Sequence, residues 1–228
     1  MKNKSKLKRV FALGVPILAL TIGITLSFFD MQKRNNNYWE YRVGKMVSFG
    51  KYEQDNNYDN GSEAIEWIVI DKKDGKVLLL AKNCLYARKS KNNNGGWKES
   101  DLRKWLNNSF YKNAFNKHEK KSLINTTSNC YGTKTSDKVF VLSYEELEKY
   151  LHMDLVRKTV PTKYVSENFK DNLAFDGENC ETWIRNNDDF GYVEEYDEIY
   201  YGGNFQGIPS GEIAGVRPAI WVDVSKIK

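Results

Sequence analysis

Residues 10–29 (VFALGVPILALTIGITLSFF) form an unbroken run of 20 residues without a charge. A helix of that length rises about 30 Å, the thickness of a bilayer's hydrocarbon core. Gly14, Pro16 and Gly23 would weaken a helix in water but are tolerated in a membrane. The run therefore divides the chain into a basic tail (1–9), a membrane span (10–29), a polar tether (30–43) and a body (44–225). Lys2, Lys4, Lys6, Lys8 and Arg9 precede the run, and only Lys33 and Arg34 follow closely. The positive-inside rule puts the tail in the cytoplasm and the body outside, as a single-pass cell-membrane protein. A cleaved signal peptide is the rival reading. It is disfavoured because the run is long and only Thr25-Leu26-Ser27 resembles a small-residue cleavage site.

The formal charge of +5 belongs to the tail, since no Asp or Glu occurs before Asp30 and the remaining residues balance. The body thus lacks the basic excess of a nucleic-acid binder. Three cysteines, Cys84, Cys130 and Cys180, are too far apart for a local CxxC redox or zinc motif. Outside the cell a bridge is permitted. Three free thiols and one bridge are both open, and Cys130–Cys180 is the favoured pair because both lie in polar, turn-like stretches.

Within the body, residues 47–49 and 65–70 are strand-like, Lys73-Asp74-Gly75 is a turn, and residues 77–81 return as a strand. Ser100 is placed to cap a helix whose Leu102, Trp105, Leu106 and Phe110 fall on one face, which makes Trp105 a core residue. Asn116 with Glu119, and Ser143 with Glu146, are capping-box pairs. Residues 138–142, 182–185 and 215–224 are further strands, with Pro218 implying an edge or a bulge in the last. Strands and helices mix without a βαβ repeat, so the class is α+β, and no Pro/Gly/Ser-rich linker divides the body.

HExxH, P-loop, GxGxxG and GxSxG patterns are missing, and the chain has only two histidines, His118 and His152. No catalytic residue is assigned. Residues 171–198 carry ten acidic side chains and one basic, Arg185, with aromatics interleaved toward the end. Aromatic rings beside carboxylates in loops suit sugars or peptides. The expected ligand surface is therefore Tyr192, Tyr196, Tyr200, Asp188 and Asp189. Calcium on the Asn186-to-Gly191 stretch is conceivable from its oxygen ligands, but it lacks EF-hand spacing, and no cofactor is assigned. A solvated acidic loop, or a hairpin with inward-packed tyrosines, is the bland alternative.

Several stretches together resemble a bacterial family, domain of unknown function 6273. They are VSFGKY (47–52), EWIVID (66–71), WKESDLRKWLN (97–107), DKVFVLS (137–143), PTKY (161–164), TWIR (182–185) and GVRPAIW (215–221). The resemblance implies an exported single domain of the C-type-lectin-like or formylglycine-generating-enzyme-like group. In that group the first and last strands of a mixed or antiparallel sheet pair, and long loops carry the binding surface. No activity is implied. The paired cysteines of formylglycine-generating enzymes and the EPN, QPD and WND signatures of calcium-dependent lectins are not recognisable. The expectation is an anchored extracytoplasmic module that binds a cell-wall glycan, a sugar or an exported protein. An extracytoplasmic enzyme and a structural envelope component are the alternatives; two close cysteines would favour the enzyme, a shallow aromatic patch the binder.

Overall fold

A computed structural model describes residues 40–89, 96–130, 133–150, 152–153, 159–169, 180–185, 191–193 and 213–227. The basic tail, the membrane span expected at 10–29 and most of the expected tether lie outside them. Among the described residues no helix is long and apolar enough to cross a membrane. Residues Tyr41–Lys228 form one compact unit.

The body is α+β. Strands β1 (Met46–Tyr52), β2 (Glu63–Lys73) and β3 (Lys76–Ala81) follow each other as an antiparallel meander. The β2–β3 turn is Asp74-Gly75 with both φ positive, 50° and 73°. That is the mirror-image turn whose twist suits a hairpin, and Gly takes it at no steric cost. All of Val77–Ala81 are buried, so this strand is covered on both faces. The edge of β3 is taken by β10 (Ala219–Asp223), with Leu79 opposite Ile220. The sheet order is β1-β2-β3-β10. The first and last strands therefore sit at opposite edges, correcting the expectation that they pair: the β2–β3 hairpin lies between them.

A second sheet has the order β4-β9-β7-β8, from β4 (Tyr86–Lys89), β7 (Thr182–Ile184), β8 (Gly191–Val193) and β9 (Ile213–Val216). β7 and β9 pair in parallel. The expected single strand over 215–224 is split. Pro218 has no N–H for a ladder, and the chain changes sheets at Arg217-Pro218, from β9 to β10. A two-stranded hairpin, β5 (Thr126–Cys130) with β6 (Thr133–Asp137), precedes residues 138–142. These residues are not a ladder strand; Phe140 makes a lone bridge to Ala219, although Val139–Leu142 are buried.

The helices are short. Asp101–Trp105 continues through a π-helical turn, Leu106–Phe110, into Tyr111–Ala114. The Ser100 hydroxyl accepts the Arg103 N–H at 3.0 Å, as its capping position dictates. Asn116 and Glu119 exchange N–H bonds at 2.8 and 2.9 Å, and Ser143 and Glu146 do the same at 3.0 and 3.3 Å. Glu119 also accepts the Gly50 N–H at 3.2 Å, tying that helix start to β1. A Cβ at Gly50 would lie 2.6 Å from the Ala114 carbonyl oxygen, and φ there is 73°, so glycine is required twice over. The helix Lys163–Phe169 has no counterpart in the strand-and-helix expectations.

Candidate functional site

The helix face over 102–110 is only partly core. Leu102, Leu106 and Phe110 are buried as expected, but Trp105 is half-buried. The helical period places Trp105 beside Leu102 and Leu106 correctly, yet the π-helical turn that follows widens the spiral and lets its ring lie over β4 instead. There Trp105 stacks on Tyr86, centroids 4.8 Å apart and planes 25° from parallel. Tyr86 also stacks against Tyr164 at 6.1 Å and meets Phe169 edge-on at 5.4 Å. Tyr52, at the end of β1, touches Phe110 at 4.9 Å. Four segments thus deliver half-buried rings to one patch: β1, β4, the 101–114 helix and the 163–169 helix.

Polar groups border the rings. Arg88 lies over Trp105, its guanidinium carbon 5.6 Å from the ring centroid, and donates to Asp101 at 2.9 Å. Among the described residues, Arg88 Nε and Asp101 Oδ1 have no further hydrogen-bond partner although neither atom is exposed. One donor and one acceptor are therefore left over beside the stacked rings. Burial, and then the neighbouring tyrosines, raise the Tyr52 phenol well above its ordinary value. Burial likewise pushes Tyr164 up to about 12, with Tyr86 and Tyr58 adding to it. Both are neutral donors at any physiological pH. Tyr58, 72% exposed, lies on the β1–β2 loop.

That loop holds the one group of three described acidic residues whose oxygens converge, Glu53, Asp55 and Glu63, within 4.8 Å of one another. N–H donors already occupy them: Gln54 N to Glu63 at 2.7 Å, Asn57 N to Asp55 at 2.8 Å, Asn60 Nδ2 to Asp55 at 2.7 Å. The hydrogen bond from Asn60 is the first cause of the lowered Asp55 pKa. A separate shallow depression of about 680 Å³ is bordered by Lys51, Lys112, Lys117 and Lys120 around Phe115. Lys120 donates to the Lys112 carbonyl at 2.9 Å and lies over Tyr111.

Of the sequence-predicted ligand residues, Tyr192 lies in β8, opposite Trp183. Asp188, Asp189, Tyr196 and Tyr200 lie outside the described residues, as does most of the Asn186-to-Gly191 calcium candidate. Arg103 pairs with Asp137 at 2.7 Å, and Arg185 with Glu146. Asp137, buried, also accepts Trp97 Nε1 at 3.1 Å. Asp101 serves Arg88 rather than Arg103.

The thiol beside Cys180 is that of Cys84, which corrects the favoured Cys130–Cys180 pair. Both sulfurs are buried and lie against each other. Cys84 follows β3, but its N–H bonds Val160 and the next residue's N–H bonds Val216, so the chain there turns toward the second sheet.

A family model described as domain of unknown function (DUF6273) matches residues 74–224. The chain belongs to this family. The matched DUF6273 region takes in β3 through β10, hence Tyr86, Arg88, Trp105 and Tyr164 of the patch and both buried cysteines. Tyr52 and the acidic loop lie before it. No curated protein and no solved structure matches the chain.

Proposed function

We propose that the protein is an extracytoplasmic binding module, held to the membrane by residues 10–29, whose patch of Tyr86, Trp105 and Tyr164 stacks on the rings of a saccharide such as a cell-wall glycan. The observation that carries this reading is the convergence of half-buried rings from four segments, bordered by the part-exposed Arg88–Asp101 ion pair. Sugar rings offer flat C–H faces for stacking and hydroxyls for a donor and an acceptor at the edge. The late segment with Asp188, Asp189, Tyr192, Tyr196 and Tyr200 is proposed as a second contributor of ligand contacts. Support for it is that Trp183, paired with Tyr192, donates its indole N–H to the Arg88 carbonyl at 3.0 Å. Display of ligand-binding loops from a small sheet scaffold is also what a lectin-like module would do.

A thiol enzyme is the second reading, and the Cys84–Cys180 contact favours it. Against it, the mutual hydrogen bond and burial hold the Cys180 thiol far above its usual value, which suits no nucleophile.

The test uses the full-length chain in detergent micelles, incubated with insoluble peptidoglycan sacculi and sedimented. Retention that falls for Trp105→Ala and Tyr164→Ala, with folding intact, supports the reading. Equal retention of both variants, or no retention of the parent chain, rejects it.

A further inference from the structure

Cys84 and Cys180 meet over the one residue of β9 that has no side chain. A Cβ on Gly215 would overlap the Cys180 sulfur and sit 2.8 Å from that of Cys84. Both sulfurs are therefore packed against the same glycine α-carbon. The backbone brings them there from two directions. Cys84 N–H bonds the Val160 carbonyl at 3.0 Å, and Cys180 N–H bonds that of Thr159 at 2.9 Å. Gly215 N–H in turn bonds the Glu181 carbonyl at 2.8 Å, and the Leu85 N–H bonds Val216 at 3.0 Å. The strand exit at Cys84, residues 159–162, the entry to β7 and β9 are thus locked around one thiol pair. Arg217, fully buried, donates to the Ala81 carbonyl at 2.7 Å; burial pushes its pKa down to about 10, while the two thiols beside it act in the opposite direction.

We propose that Cys84 and Cys180 form a native disulfide, and that Gly215 is glycine to leave room for it. The bond forms by exchange with an external disulfide, of a small molecule or a thiol oxidoreductase. One protein thiolate attacks a sulfur of that disulfide and releases a thiol. The second protein thiolate then displaces the other half. Two electrons pass to the external disulfide, and the two protons end on its two released thiols. Cys84 is fully buried and Cys180 is 6% exposed, so exchange is fastest before the core closes. The finished bond is shielded from reductant. The bond's formation does not depend on the saccharide reading; the extracytoplasmic location in that reading is what would keep it oxidised.

The test is direct because trypsin separates the three cysteines into peptides ending at Arg88, Lys134 and Arg185. The full-length chain is equilibrated in mixtures of oxidised and reduced glutathione, with mild denaturant to open the core. It is then acid-quenched, alkylated in strong denaturant and analysed by mass spectrometry. The expected product is the peptide ending at Arg88 linked to the peptide ending at Arg185, with Cys130 outside the link. The linked protein is expected to melt about 10 °C higher than the reduced one, from a loop approaching 100 residues. A Cys130→Ser chain should form the same link. Cys84 and Cys180 both alkylated at every ratio, or Cys180 linked to Cys130, would overturn the proposal.

Discussion

Gly215 illustrates what a single missing side chain does here. Gly215→Ala forces a methyl group into both sulfurs and is expected to cost about 1–3 kcal/mol, the usual range for overpacking. The same change in a Cys84→Ala, Cys180→Ala background should cost clearly less, and a double-mutant cycle of melting curves checks this. Asp71 supplies a pH dependence. Burial works to raise its carboxyl, but hydrogen bonds from Lys149 and Tyr150, each 2.6 Å, outweigh that and leave it below 3.8. A depressed carboxyl contributes stability above its unfolded pKa and loses it as pH falls through the folded one. Asp71→Asn should therefore flatten the loss of melting temperature below about pH 4 and leave its shape near neutrality alone. At this scale, legibility followed distance along the chain. Ser100, Asn116 with Glu119, and Ser143 with Glu146 act within three residues, so their capping bonds could be read from the sequence. Cys84 with Cys180, and Arg103 with Asp137, are joined only by the fold, and residue type alone does not choose among several candidate partners.

The elements divide in the same way. The β2–β3 hairpin announces itself because Asp-Gly between two apolar strand-like runs has one comfortable turn. Residues 138–142 look like a strand because they are apolar, but burial on every side produces that pattern without a ladder. Pro218 was legible as a disturbance; that it sends the chain from one sheet to another was not, since a sequence does not say which sheet each half joins. The helix Lys163–Phe169 carried a weak signal, Thr162 as its cap, whose hydroxyl accepts the Val165 N–H at 3.4 Å. The 101–114 helix gives the sharpest contrast. Phe110→Ala, fully buried, should cost about 3–5 kcal/mol. Trp105→Ala removes a half-buried ring and should cost roughly half as much, measured by chemical denaturation of both variants. Ser100→Ala should cost about 1 kcal/mol through the lost cap in the same experiment.

Over the whole molecule, two small sheets and a set of short helices carry few features that announce chemistry. The sequence points to the late acidic and aromatic segment as the ligand surface, because large residues at helical spacing belong to a core. The aromatic patch escaped that logic: Tyr52, Tyr86, Trp105 and Tyr164 are separated by 112 positions from first to last and share no motif. Membership of DUF6273 supports a common scaffold over residues 74–224 and leaves the ligand to be found by experiment. The central claim is that this patch holds a saccharide. Its most direct measurement is the affinity of the full-length chain for a soluble cell-wall muropeptide, by calorimetric titration of the parent, Trp105→Ala, Tyr164→Ala and Tyr196→Ala/Tyr200→Ala chains. Removing either patch ring is expected to weaken binding about three- to tenfold while the variant stays folded, the usual worth of one aromatic contact. Unchanged affinity in both patch variants, with binding lost only in the Tyr196→Ala/Tyr200→Ala chain, would contradict it.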